Sequence, residues 1–437
     1  MRNFFRVARV KQSVRRRRAV AICVCVSWGL LFGQISHSAD NLLPAPTGPF
    51  SVGRVTYHWI DSARHESLAP SSFAYRELMV EVWYPAETTP AHPPAVYLPD
   101  LPAAAQLLGE TDLRTEFGAA YTQLLNGRLY THAQEQASFA CGLKRKPVLI
   151  FSHGLGVLKS TYTTVLEDLA SHGYVVVAIA HTYDTSLVAF PDGHVIRFER
   201  EKRAANSGSE QAGIEYGNAR LKVWATDIRF VIDQLTRYDR ERDFRAPFAG
   251  HLDLARIGAF GHSDGGRAAA LACQTDDRVR ACLDMDGVAD NLPFYRDVQG
   301  NTMNQPFLLF LHMTKTPNPT DHELAKMGYS REQLKSLIQS VEKKQTHLLT
   351  GMPGGSYRVT LATAGNSHMS FSDLPLLDAA DDKGEYANNL ITLKVVRTCT
   401  LSFFDEALQG KANTVLNRKS SNEPSMTVEW FSPTPKR

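Results

Sequence analysis

The sequence has no Cys-x-x-Cys pair, so a zinc ribbon has no ligand set to build on. It has no internal repeat and no extended low-complexity tract, and the Pro-rich stretch Pro90–Pro94 reads as a local loop. It also lacks a basic face in its body. The formal net charge of +3 owes much to the first twenty residues, where Arg15–Arg18 stand in a row. The remainder is near neutral or slightly acidic, which argues against a nucleic-acid partner. The apolar run Ala19–Phe32 falls short of the roughly 20 residues that a membrane helix needs.

That run does fit another pattern. Arginines precede it, and small and polar residues around Ser36–Ala39 follow it, the order of an export signal. Residues 1–39 are therefore expected to direct the chain to the periplasm or beyond the cell, as a cleaved signal or a retained anchor. Of the six cysteines, Cys141, Cys273, Cys282 and Cys399 then remain in an oxidising compartment. Cys273 is expected near the end of a helix and Cys282 near the start of the next strand. A bridge between them is geometrically reasonable; a pair of buried free thiols is the alternative.

The 437 residues, 43% of them hydrophobic, are enough for one large α/β domain with insertions. Short apolar runs rich in β-branched and aromatic residues predict buried strands at Leu78–Tyr84, Pro147–Phe151, Tyr174–Ala180, Arg256–Phe260, Ala281–Met285, Pro306–Leu311 and Arg358–Ala362. Helical spacing predicts helices at Thr161–Ser171, Asn218–Thr236, Gly265–Gln274 and Asp381–Leu408. The alternation implies a mostly parallel sheet covered by helices. Three long stretches, Pro99–Leu143, Asp184–Glu215 and Thr314–Gly355, read as lid or cap insertions, the last with a helix over Asp321–Lys344.

Gly261-His262-Ser263-Asp264-Gly265-Gly266 lies between a predicted strand and a predicted helix. This is a G-x-S-x-G nucleophile elbow in strand–turn–helix context, and it assigns the α/β-hydrolase fold with Ser263 as nucleophile. The glycines are required because strand and helix approach closely there. A second glycine-rich turn, His153-Gly154-Leu155-Gly156, follows the strand Pro147–Phe151. The backbone N–H groups of Leu155 and Asp264 are the expected oxyanion donors. In this fold the acid and then the base come later in the chain. Asp276 and Asp277 fall on the far turn, and Asp284 and Asp286 share a strand face, with Asp290 beyond. Asp286 is preferred because it is nearer the carboxyl end of its strand. Among His312, His322, His347 and His368, the last lies in the turn-rich run Gly365–Met369 after the final predicted strand, where the base should hang. His312 ends a strand and reads as a lining residue, as does His181; His153, His181 and His262 all precede the serine.

With these residues in view, the chain resembles the plasma and type II platelet-activating-factor acetylhydrolases, from about Gly48 to about Leu408. The resemblance is carried by Phe151–Gly156, by Asp168–Tyr174, by the elbow and by Ser367–Asp373. It implies a serine lipase that cleaves short or oxidised sn-2 acyl groups without metal or other cofactor, with Asp286 as acid and His368 as base. Two departures bear on acyl preference. Asp264 replaces an apolar residue of the mammalian enzymes, and Gly287-Val288 lacks their aromatic residue after the acid. The insertion Pro99–Leu143 occupies the slot of the family's lipid-facing helix but is only moderately apolar, so weak lipid-surface association is expected. A general secreted carboxylesterase or polyester hydrolase is the nearest rival, and a catalytically inactive binding protein on the same fold is the rival of another class. A serine at the nucleophile position sets aside a cysteine-based dienelactone-type hydrolase. The expected partner is a small-molecule or lipid ester.

Overall fold

Strict alternation along the buried strands builds two cores on one sheet. Val148, Ile150, Val175 and Val177 point to one face and Leu149, Phe151, Val176 and Ala178 to the other. Strands with both faces buried need helices on each side, and the chain supplies them. The computed structural model describes residues 42–102, 105, 124, 129–206, 208–243, 245–287, 303–312, 320, 321, 324, 330–417 and 424–433. Residues Asn41–Arg437 form one compact unit.

Its strands are β1 (Ser51–His65), β2 (Tyr75–Ala86), β3 (Pro94–Val96), β4 (Tyr130–Glu135), β5 (Lys146–Ser152), β6 (Val175–Ala180) and β7 (Leu187–Ala189). They continue as β8 (Val195–Arg197), β9 (Leu252–His262), β10 (Val279–Met285), β11 (Phe307–Leu311), β12 (Ser356–Leu361) and β13 (Met426–Phe431). The helices are α1 (Thr163–Ser171), α2 (Arg200–Ala205), α3 (Glu210–Glu241), α4 (Asp264–Thr275), α5 (Arg331–Thr350), α6 (Leu374–Asp378) and α7 (Lys383–Gln409).

Among the described residues eleven strands form one sheet in the order β13-β12-β11-β10-β9-β5-β6-β2-β1-β4-β3, and β7 pairs with β8 separately. The six from β12 to β6 run parallel, while β13, β2 and β1 are antiparallel to their inner neighbours. Helices α3, α4 and α5 pack on one face through Trp224, Ile228, Ile232, Ala269 and Leu348. Helices α1 and α7 cover the other through Val165, Leu169, Val396 and Phe404. Because β5 sits between β6 and β9, the strand order reverses beside it. The crevice at the carboxyl ends of β5 and β9 is therefore where an open α/β sheet places its site.

The α/β-hydrolase architecture is present, and every expected strand and helix is found within a few residues except two. The helix expected over Asn218–Thr236 is α3, which begins eight residues earlier and ends five later. The helix expected over Asp321–Lys344 is α5, starting later at Arg331. Ser330 accepts from the Gln333 amide while Gln333 bonds back to the Ser330 amide, and this capping box fixes the start. At its other end Leu348 and Leu349 are buried, which carries the helix six residues beyond Lys344. Six strands were not legible, above all β1. Its pattern is broken by Arg54 and Asp61, which are buried because they pair with Glu135 and Arg64. The insertions contribute to pairing as well. Strand β4, from Pro99–Leu143, runs parallel to β1, and β7 and β8 form a hairpin in Asp184–Glu215. The export segment lies outside the described residues, among which no helix is long and apolar enough to cross a membrane.

Cys273, in the last turn of α4, is disulfide-bonded to Cys282 on β10, with Cα atoms 6.4 Å apart. Closing a loop of sequence separation 9 restricts the unfolded chain by roughly 2–3 kcal/mol. The double variant Cys273→Ser/Cys282→Ser is expected to lose about that much stability in urea unfolding, with its hydrolytic activity retained at 25 °C. An unchanged midpoint would show that the bridge does not form.

Candidate active site

Strand β9 ends at His262 and helix α4 begins at Asp264, so the whole turn falls on Ser263. Its backbone has φ 56° and ψ −123°, a conformation that costs an L-residue roughly 1–3 kcal/mol. Surrounding hydrogen bonds hold it there. The Ser263 amide donates to the Met285 carbonyl at 2.8 Å, and its own carbonyl accepts from the amides of Gly266 and Arg267. The helix can only approach this closely because Gly265 is bare: a Cβ there would collide with the Ser152 carbonyl, and one on Gly261 with Gly265. The amide of Asp264 opens the helix, where backbone donors lack intrahelical partners. Its carboxylate turns aside to Arg267, 2.9 Å away, so its charge is offset.

Asp286 follows β10 and also has a positive φ, 61°. Its Oδ2 accepts from Nδ1–H of His368 at 2.5 Å and from Nδ1–H of His312 at 2.6 Å, while Oδ1 accepts from the His312 amide at 3.2 Å. Burial alone would raise its pKa. The hydrogen bonds and charge of the two imidazoles outweigh that and hold it at about 2. Asp284, the other carboxylate on the strand face, is fully buried and accepts from the Gly287 amide at 2.7 Å. It braces backbone. Asp276 pairs with Arg278 at the far end of the sheet, and His347 is exposed on α5. Asp290 and His322 lie outside the described residues.

His368 opens a 3-10 turn, His368–Phe371, capped by reciprocal Ser367–Ser370 bonds. Asp373 anchors the far side of this turn: its amide donates to the Thr161 carbonyl, and its carboxyl accepts from Tyr97 and Thr164. Burial pushes that carboxyl up to about 7. The ring of His368 lies 4.5 Å from that of His262, the residue before Ser263.

His262 joins the three parts of the site. Its Nε2 lies 2.8 Å from the His368 carbonyl, which can only accept, so Nε2 carries the hydrogen. Nδ1 then accepts from the Tyr162 hydroxyl at 2.8 Å, whose oxygen accepts from the Gly154 amide at 3.2 Å. A directed chain thus runs from the loop of Leu155 to the backbone of His368. Burial, with His368 alongside, keeps His262 neutral by lowering its pKa to about 3.

The Leu155 loop is fixed from below as well. His153 Nδ1–H donates to the Gly154 carbonyl at 2.7 Å, and its Nε2 accepts from the His181 amide. The Gly156 amide donates to the Asp184 carbonyl at 2.8 Å, and the Asp184 carboxylate holds Arg220 and the Trp224 indole. His181, expected to line the pocket, is instead wholly buried. It bonds Asp227 through Nδ1 and Ser152 through Nε2, stacked 4.1 Å from the Trp224 ring. Its strand ends under the loop, not beside it. His312 is likewise more than a lining residue, since it shares Asp286 with His368. Tyr162 carries no signal in the sequence, and His262 precedes the serine and so falls outside the expected order of acid and base.

Residues 35–414 match the family described as platelet-activating factor acetylhydrolase, isoform II. Over 423 residues the chain is 24% identical to a probable 1-alkyl-2-acetylglycerophosphocholine esterase of Arthroderma benhamiae, covering 90% of this chain and 94% of that one. Over 277 residues it is 26% identical to a platelet-activating factor acetylhydrolase of Cavia porcellus, covering 58% of this chain and 57% of that one. A solved ferulic acid esterase from Streptomyces cinnamoneus matches with a TM-score of 0.62 at 27% identity, covering 88% of this chain and 98% of that one.

The buried neutral histidine has a measurable consequence. A histidine whose folded pKa is depressed costs stability as pH falls from its unfolded value, about 6.5, toward its folded value, for His262 about 3. Asp286 contributes stability that is present above about pH 4 and lost toward about 2. Asp373, with its raised pKa, has the opposite slope, but it is common to parent and variant. Urea unfolding of the parent and of His262→Gln is expected to show a smaller loss of stability in the variant between pH 6.5 and 4. Identical slopes would mean that His262 is not buried neutral.

Proposed function

The chain belongs to the isoform II platelet-activating factor acetylhydrolase family, and from that premise we propose that Ser263, His368 and Asp286 cleave short or oxidised sn-2 acyl esters of phospholipids. It is a carboxylic-ester hydrolase on the α/β-hydrolase fold. The observation that carries the residue assignment is the His368–Asp286 hydrogen bond beside a serine held in a strained elbow. With Nδ1–H committed to an ionised carboxylate, His368 keeps Nε2 free to take a proton.

In the first step Ser263 Oγ attacks the ester carbonyl and its proton passes to His368 Nε2. The Leu155 and Asp264 amides receive the developing oxyanion, and Asp286 stabilises the imidazolium. Collapse expels the alcohol, a lysophospholipid in this reading, which leaves with the proton from His368. Water then attacks the acyl-enzyme with His368 as base again, releasing the acid and restoring Ser263. No step calls for a metal or cofactor.

A second reading, a general carboxylesterase, is supported by the ferulic acid esterase neighbour. Export is supported by the signal-like residues 1–39 and by the Cys273–Cys282 bridge, which belongs to an oxidising compartment. Association with lipid surfaces is weak in this reading, given the modest apolarity of Pro99–Leu143.

Hydrolysis of p-nitrophenyl acetate to decanoate, a 2-acetyl ether phospholipid and a long-chain phosphatidylcholine, all with chelator, tests both readings. The acetyl phospholipid is expected to be preferred, Ser263→Ala to be inactive, and Asp286→Asn to lose on the order of 10,000-fold in kcat. Preference for simple aryl esters alone would favour the general esterase. Full activity in Ser263→Ala would overturn the assignment.

A further inference from the structure

We propose that Asp286, His312 and His368 form an inhibitory site for a zinc-class divalent ion, which silences the enzyme by locking its base in the wrong tautomer. The proposal rests on the reading of His368 as that base. The three side chains offer three ligand atoms within 4.8 Å of one another. Both imidazoles aim Nδ1 at a single carboxylate oxygen, from 2.5 Å and 2.6 Å. Zinc takes imidazole nitrogen and carboxylate oxygen at about 2.0–2.2 Å, and three protein ligands with an open position form a familiar zinc arrangement. Tetrahedral ligands then stand about 3.3 Å apart, so each ring withdraws from the carboxylate oxygen by under about 1 Å while the ligand atoms, now within 4.8 Å of one another, close by up to about 1.5 Å. The ligands sit at the ends of β10 and β11 and on the 3-10 turn, and the His368 side chain is 46% exposed, open to an ion from solvent.

His312 is what makes this site unlike an ordinary Ser–His–Asp set, because it adds a second imidazole to the acid. The consequence for catalysis follows from proton bookkeeping on one ring. With hydrogen on Nδ1, His368 presents a bare Nε2 to the serine. Metal at Nδ1 displaces that hydrogen to solvent, and the neutral ring takes one up at Nε2. An Nε2–H cannot accept the proton of Ser263. Binding therefore lowers kcat and leaves KM nearly unchanged, since the Leu155 loop and the elbow at Ser263 are untouched.

Two readouts test this in the full chain carrying Cys141→Ser, which removes the exposed free thiol as a rival ligand. Zinc chloride titrated into p-nitrophenyl acetate hydrolysis is expected to inhibit reversibly, with chelator restoring activity. His312→Gln is expected to raise the half-inhibitory zinc concentration at least about tenfold, since even outer-shell losses cost 10–100-fold in affinity. In Ser263→Ala protein, cobalt(II) is expected to give a visible ligand-field spectrum that His312→Gln abolishes. Equal zinc sensitivity with and without His312, or a cobalt spectrum that survives its loss, would overturn the site. Protein that hydrolyses ester but binds no cobalt overturns the metal site alone. Protein that binds cobalt but shows no Ser263-dependent hydrolysis overturns the catalytic reading, and with it inhibition as the consequence of binding.

Discussion

The site depends on one ionised carboxylate held against its own burial. Asp286 keeps its charge because three N–H groups from two histidines converge on it. That charge selects the Nδ1–H tautomer of His368, and the tautomer decides whether the other ring nitrogen can act as a base. The carboxylate is positioned by its strand. The Asp286 amide donates to the Phe310 carbonyl on β11, and the carbonyl of the preceding residue, Met285, receives the amide of Ser263. Asp286 and Ser263 are thus one peptide unit apart across adjacent strands. A shift in either moves both, so the relative placement of Ser263 and Asp286 is set by backbone pairing without a long side-chain network.

The chain also contains a second Ser–His–Asp set, Ser152, His181 and Asp227, with hydrogen bonds of 3.0 and 2.8 Å. Residue types and distances match those expected of a catalytic triad, yet three physical differences give it another role. All three residues are closed to solvent. Ser152 ends an ordinary strand, without the elbow backbone that exposes Ser263. Arg76 grips Asp227 with two hydrogen bonds, so its charge is already neutralised and cannot stabilise an imidazolium. The set braces the loop that carries Leu155. Polar groups buried this deeply stabilise only when fully paired, and here the pairing extends through Arg76, Glu66 and Trp224.

The parts legible in the sequence were those with a local signature. Valine-rich runs such as Tyr174–Ala180 announce a strand buried on both faces, and the elbow glycines announce the close approach that Gly265 makes to Ser152. Strand direction puts Asp286 nearer the crevice than Asp284, and it is Asp286 that bonds His368 while Asp284 bonds backbone. What stayed hidden depends on partners distant in the chain. Strand β1 is masked by Arg54 and Asp61, whose burial makes sense only beside Glu135 and Arg64. Tyr162 is an unremarkable tyrosine until folding places its hydroxyl between Gly154 and His262. His312 looks like any residue at a strand end until the register of β10 and β11 sets it against Asp286.

Backbone strain and access, more than residue type, set Ser263 apart from Ser152 as the serine to react. Treating the folded protein with a fluorophosphonate and mapping the modified peptide by mass spectrometry tests this directly. One stoichiometric adduct is expected on Ser263, none on Ser152, and no adduct after unfolding. An adduct on Ser152, or equal labelling of several serines, would contradict this.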